Sequence, residues 1–137
     1  MTEKIFEKEI PSDPDLLPEL EEFIIKVAEE SNLDKEKFNS LALSFSEAAS
    51  NSLLHGNKMD KSKKVRITVK VNEIKMTIII KDEGQGFDIK SVPDPTKPEN
   101  ILKDSGRGIH IMRSFLDSLR YNFTPTGTET ILEISLR

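Results

Sequence analysis

The chain has 137 residues, of which 36% are hydrophobic and 32% charged, with a net charge of -4 at pH 7 and no cysteine. This length suits one domain with its own hydrophobic core, and we expect residues 1–137 to form it. The acidic balance argues against nonspecific nucleic-acid binding, the lack of cysteine excludes disulfides and thiolate metal sites, and no apolar run approaches the roughly 20 residues of a membrane span.

The first predicted elements are a short strand and an amphipathic helix. The strand covers residues 4–10 and ends before Pro11. Residues 16–30 carry apolar side chains at helical spacing, which predicts the helix, and the opposite face is acidic. Asp34 then stands where it can cap the start of a further helix.

A second helix is predicted over residues 38–57. Glu47 is the single ionisable residue between Asn39 and Leu54. The apolar residues of this segment do not form one stripe, which predicts a helix buried on all sides. Glu47 and Asn51 are four residues apart and therefore share a face. The residues alone allow two interpretations: a core carboxylate hydrogen-bonded to Asn51 or to backbone, or a carboxylate that serves a ligand.

A hairpin follows, over residues 65–71 and 74–81, where apolar and polar side chains alternate. The second strand leads directly into the sequence DEGQGF at residues 82–87. Its two glycines permit a close backbone approach, or only a tight turn. Residues 91–105 contain three prolines and no periodicity, so we expect a long loop that is either a functional lid or disordered.

The last predicted elements are a helix over about residues 109–116 and strands over residues 119–123 and 130–136. The sequence GRG at residues 106–108 opens that helix, and glycines at a helix N-terminus suit phosphate. The order β-α-α-β-β-loop-α-β-β predicts an α+β fold: a two-layer α/β sandwich with a mostly antiparallel sheet and helices on one face.

Three motifs therefore stand in order along the chain: EAASN at residues 47–51 with HGN at 55–57, DEGQGF at 82–87, and GRGI at 106–109. Together they closely resemble the GHKL-type ATPases, which share the Bergerat or histidine-kinase-like fold. Within that superfamily the chain looks most like the bacterial anti-sigma-factor serine/threonine kinases of the RsbW and SpoIIAB type. The resemblance spans nearly the whole chain.

The resemblance implies ATP and Mg²⁺ as cofactors and assigns roles to matching residues. Asp82 would accept a hydrogen bond from the adenine amino group, Asn51 would coordinate magnesium, and Glu47 would be the general base. A lid is implied at about residues 88–106. The implied nucleotide-binding residues are Asn51, Asp82, Gly84, Gly86, Gly106, Arg107, Gly108 and Thr128.

The resemblance also implies protein partners: a sigma factor, and an anti-sigma-factor antagonist with an acceptor serine. A cytoplasmic homodimer without nucleic-acid or membrane partners is expected. The first helix carries Glu19, Glu21 and Glu22 where family members often have a basic residue that reaches the partner, so a different regulator with a basic surface stays open. The rival functions are a nucleotide-gated binding module without phosphotransfer and a slow ATPase without a protein acceptor.

Overall fold

The computed structural model describes residues 3–53, 60–84 and 116–136. Within these residues the chain forms strands and helices in the order β1, α1, α2, β2, β3, β4, β5. The strands are β1 (Lys4–Pro11), β2 (Lys64–Val71), β3 (Lys75–Asp82), β4 (Ser118–Thr124) and β5 (Gly127–Ser135). The helices are α1 (Leu17–Glu30) and α2 (Phe38–Asn51), preceded by the 3-10 turns Pro14–Leu16 and Lys35–Lys37.

The five strands form one sheet with the order β1-β2-β3-β5-β4, in which every neighbouring pair is antiparallel. This confirms the predicted α+β fold and the predicted hairpin of β2 and β3. Alternation along β2 explains why the sheet has one buried face: Val65, Ile67, Val69 and Val71 are buried, whereas the residues between them are exposed or half-buried.

The two helices pack against each other and contribute to one core with the buried face of the sheet. Their buried apolar residues recur at helical spacing, as an amphipathic helix requires. In α1 these residues are Leu20, Ile24, Val27 and Ala28. In α2 they are Leu41, Phe45, Ala48 and Ala49.

The prediction that the second helix is buried on all sides is wrong. Leu43 is 52% exposed, and Glu47 is half-buried. The reason is that α2 has one side against α1 and the sheet, while the turn that carries Leu43 faces outward. Apolar composition alone does not reveal which side of a helix has neighbours.

Element boundaries also differ from the sequence prediction by one to three residues; β1, for example, includes Pro11, which was predicted to end it. Strand β5 begins at Gly127 rather than at residue 130, because Thr124 and Gly127 already pair across a tight turn. The first helix was predicted to begin at residue 16, but Leu16 belongs to the 3-10 turn Pro14–Leu16 and α1 begins at Leu17. Three predicted features lie outside the described residues: the end of α2 near residue 56, the lid at 88–106 and the helix at 109–116. Of that helix only Leu116 is described; it is buried and lies just before β4.

Candidate functional site

The site is centred on Asp82, the last residue of β3. Its side chain is fully buried, and its partner in the sheet register is Thr128 of β5. The Gly84 N–H donates to Asp82 Oδ1 at 2.9 Å, and the Thr128 N–H makes a longer contact of 3.4 Å with the same oxygen. Asp82 Oδ2 is also buried and has no hydrogen-bond partner in the part of the chain that the structure describes.

The electrostatics of Asp82 follow from this burial. Removal from water raises the pKa of the Asp82 carboxyl, while the N–H groups of Gly84 and Thr128 and the charge of Lys63 partly oppose that shift. One carboxylate oxygen is thus held by backbone, and the other is an acceptor without a donor in residues 3–53, 60–84 and 116–136. Since a buried acceptor without a donor is costly, Oδ2 is suited to a ligand N–H group.

The start of β5 forms the second wall of this site. Thr128 is fully buried, and its Oγ1 lacks a hydrogen-bond partner among the described residues. Gly127 has φ of +156°, and a Cβ placed there would lie 1.8 Å from the backbone oxygen of Asp82. Only glycine fits so close to β3. Sequence reasoning missed Gly127 as a site residue, although its position directly before Thr128 in a tight turn was an available signal.

Other buried hydroxyls without a hydrogen-bond partner among the described residues include those of Ser44 and Ser52, in and after α2, and that of Thr130 in β5. Sequence reasoning did not single them out. The signal for Thr130 lies in the period of the strand, because Thr128 and Thr130 share the buried phase with Leu132 and Ile134. Polar residues in an apolar phase mark either a buried network or a ligand.

Glu47 and Asn51 occupy successive turns of α2, as predicted. Asn51 is the last residue of the helix and is 8% exposed, while Glu47 is half-buried. The preceding residue, Ser46, donates from Oγ to Glu21 Oε1 of α1 at 2.8 Å. This bond joins α2 to α1 one residue before Glu47.

The structure brings together Asp82, Gly84 and Thr128, and it places Glu47 and Asn51 on one helix face. The other predicted nucleotide-binding residues, Gly86, Gly106, Arg107 and Gly108, lie outside the described residues. Among the described residues, no group of three or more His, Cys, Asp or Glu side chains could hold a metal ion. None of the helices described is long and apolar enough to cross a membrane.

The model of the histidine kinase-like ATPase domain family matches residues 10–134. The chain belongs to this family. This member of an ATPase domain family thus has a buried aspartate at a strand end, with one oxygen unpartnered among the described residues, and a helix that carries glutamate and asparagine one turn apart.

The chain is similar in sequence to proteins named as anti-sigma factors and as serine kinases. The chain is 33% identical over 103 residues to the anti-sigma F factor of Clostridium perfringens, covering 72% of each chain. It is 26% identical over 120 residues to the serine-protein kinase RsbW of Bacillus subtilis, covering 83% of this chain and 75% of that protein. These family members support the resemblance read from the motifs.

Among solved structures, the histidine kinase domain of a blue-light-activated histidine kinase from Erythrobacter litoralis has a similar fold. The TM-score is 0.56 at 19% identity, and the match covers 93% of this chain. It spans 62% of the other chain, which is less than two thirds. At this identity the likeness establishes the fold alone, and it agrees with the five-stranded antiparallel sheet.

Proposed function

We propose that this chain is an ATP-dependent serine/threonine-protein kinase and anti-sigma factor, which phosphorylates an anti-sigma-factor antagonist and sequesters a sigma factor. The observation that carries the proposal is the buried Asp82 carboxylate opposite Thr128 in the register, whose Oδ2 has no donor in the part of the chain that the structure describes. The relatives named anti-sigma F factor and serine-protein kinase RsbW support the same class of activity.

The fit to adenine rests on the donor and acceptor pattern of the pocket. The 6-amino group of adenine is a donor, and Asp82 Oδ2 is a buried acceptor without a donor among the described residues. The Thr128 hydroxyl can either donate or accept, so it suits a ring nitrogen or a water at the edge of the base. A guanine base would place a carbonyl against the carboxylate, which predicts a preference for adenine.

The fit to magnesium rests on Asn51. Mg²⁺ prefers oxygen ligands and commonly keeps several waters while binding substrate phosphates, so one amide oxygen from the protein is enough. Asn51 lies at the end of α2, one turn beyond Glu47. We assign the Asn51 amide oxygen to the metal and the backbone N–H groups at residues 106–108, with Arg107, to the phosphates.

In the proposed reaction Glu47 is the general base. Bound Mg-ATP supplies the phosphoryl group and the neutralisation of charge that phosphoryl transfer requires. The Glu47 carboxylate accepts the proton of the acceptor serine hydroxyl as the serine oxygen bonds to the γ-phosphorus and the bond to the ADP oxygen breaks. The hydrogen bond from Ser46 Oγ to Glu21 Oε1 joins α1 to the turn of α2 that carries Glu47.

The partner surface proposed on α1 is acidic and partly neutralised within the chain. Glu19 pairs with Lys8 at 3.3 Å, and Glu22 pairs with Lys26 at 3.4 Å, so exposed carboxylates and ammonium groups alternate there. A sigma factor or another regulator that docks on this face would present basic side chains. We also propose that residues 1–137 form a single domain with a lid at residues 88–106, and that the protein is a cytoplasmic homodimer.

Phosphate transfer tests the proposal. Purified protein, the Glu47→Gln variant and the control Glu73→Gln, which changes an exposed glutamate in the turn between β2 and β3, are given radiolabelled Mg-ATP and a lysate of the source organism. We expect a small protein labelled on serine by the wild type and by Glu73→Gln but not by Glu47→Gln, with ADP binding equal in all three. Labelling by Glu47→Gln at the wild-type rate would reject Glu47 as the base.

The second candidate function is a nucleotide-gated binding module. The observation that favours it is that Glu47 is engaged in an interaction within the structure, as a structural carboxylate would be. This function predicts magnesium-dependent ADP binding without a labelled protein in the same experiment. Slow hydrolysis would instead release phosphate at equal rates with and without the lysate.

A further inference from the structure

Leu43 is an exposed apolar residue on the outer side of α2. Its side chain is 52% exposed, whereas Leu41 and Phe45 of the same helix are fully buried. At about 100° per residue, Asn39 and Ser50 lie beside Leu43 on the outer side, and neither is charged. An exposed leucine needs no explanation by itself, so its position relative to the candidate site determines whether it has a role.

Leu43, Glu47 and Asn51 form one row along α2, at steps of four residues. Each step advances about 6 Å along the helix axis and turns the row by about 40°. Exposure falls along the row, from 52% at Leu43, through the half-buried Glu47, to 8% at Asn51. The row therefore runs from the surface of the protein into the candidate site.

The proposed roles of Asn51 and Glu47 give this row a direction. With magnesium and the phosphates at Asn51, the acceptor serine has to reach Glu47 from the exposed end, where Leu43 lies. The Cβ atoms of Leu43 and Glu47 are about 5–6 Å apart, as in any helix pair four residues apart. An extended chain advances about 3.3–3.6 Å per residue, so a residue one or two positions from the acceptor serine comes within reach of Leu43.

We propose that Leu43 is a specificity-determining residue that binds an apolar side chain within two positions of the acceptor serine in the antagonist. This inference rests on the proposed kinase function. The contact is apolar because Glu47 is the single ionisable residue between Asn39 and Leu54, and Glu47 itself is assigned to the serine hydroxyl. Covering the exposed half of Leu43 removes apolar surface from water, which favours binding of the acceptor.

The test compares Leu43→Ala, Leu43→Met and the control Ile74→Ala. Ile74 is 71% exposed and directly precedes β3, whereas Asp82 ends that strand, roughly 25 Å away. The acceptor is the serine-labelled protein found with the lysate, purified without phosphate. For Leu43→Ala we expect a roughly 3- to 10-fold higher KM for this acceptor, with kcat and the Kd for ADP unchanged.

Leu43→Met keeps an apolar side chain of similar size and should keep a KM near that of the wild type, while Ile74→Ala should leave the KM unchanged. Replacing the apolar residue beside the acceptor serine should raise the KM of the wild type but not raise that of Leu43→Ala further.

Three results would overturn the role of Leu43: an unchanged KM for Leu43→Ala, an equal increase for Ile74→Ala, or an acceptor without an apolar residue within two positions of its labelled serine. A lower unfolding midpoint of Leu43→Ala in urea with an unchanged KM would assign Leu43 to stability instead. If the wild type labels no protein, the proposed function itself fails.

Discussion

At the scale of single residues, the main feature of the candidate site is a carboxylate that the fold buries. Asp82 lies at the end of β3 with one oxygen held by backbone and the other without a partner among the residues described. Its carboxyl is therefore more costly to ionise in the folded chain than in the unfolded one. Two predictions follow from this state, one for stability and one for binding.

The first prediction concerns pH and stability. Because burial raises the folded-state pKa of Asp82, its stabilising contribution is present below the unfolded pKa of about 3.9 and is lost as pH rises through the folded pKa. The free energy of unfolding of the wild type should therefore decrease relative to that of Asp82→Asn across this interval. Urea unfolding of both proteins at a series of pH values checks this. If the unfolding free energies of the two proteins change in parallel with pH, folding does not raise the pKa of Asp82.

The second prediction concerns the same substitution and nucleotide. An asparagine at position 82 can keep its oxygen on the Gly84 N–H only by turning its amide NH₂ toward the position of Oδ2. That donor would face the adenine amino group, so we expect ADP binding to weaken by more than about tenfold. Calorimetric titration measures it. An unchanged Kd for ADP would show that the adenine amino group does not bind at residue 82.

The third prediction concerns Gly127, whose missing side chain allows β5 to approach β3. Gly127→Ala would force a Cβ to within 1.8 Å of the Asp82 backbone oxygen unless the strands separate. We expect a loss of about 3 kcal/mol in unfolding free energy together with weaker ADP binding. The control Thr126→Ala, at an exposed position in the same turn, should change stability by no more than about 0.5 kcal/mol.

At the scale of elements, the arrangement of α1 and α2 decides where Glu47 lies. The hydrogen bond from Ser46 Oγ to Glu21 Oε1 joins the two helices one residue before Glu47. We predict a coupling energy of about 1 kcal/mol between these side chains. A double-mutant cycle of Ser46→Ala and Glu21→Gln in urea unfolding measures it, and additive effects would mean that the bond does not hold the helices.

The elements also show what the sequence can and cannot predict. The alternation in β2 and β3 predicted both strands and their hairpin, although the second strand was predicted over residues 74–81 and is observed over Lys75–Asp82. The exposure of Leu43 could not be predicted, since an apolar side chain does not report whether a neighbour covers it. The register that sets Thr128 against Asp82 joins strands far apart in sequence, which local patterns do not encode.

At the scale of the whole molecule, the proposed nucleotide binding is linked to folding. A ligand that binds only the folded chain at 100 times its Kd adds about 2.7 kcal/mol to the free energy of unfolding. We therefore expect Mg-ADP to raise the thermal midpoint of the wild type, and to raise that of Asp82→Asn far less. Thermal unfolding with and without nucleotide checks this, and a midpoint that does not respond would contradict nucleotide binding.

The antiparallel pairing of β3 with β5 has a consequence for folding speed and for evolution. Residues 83–126 separate two strands that are neighbours in the sheet. The entropy of closing a chain grows only with the logarithm of its length, so doubling a flexible connection costs about 0.6 kcal/mol. Insertions between these strands would thus slow the assembly of the sheet more than they would reduce its equilibrium stability. An insertion in this connection that leaves β4 and the proposed nucleotide-binding residues unchanged would keep Asp82 opposite Thr128.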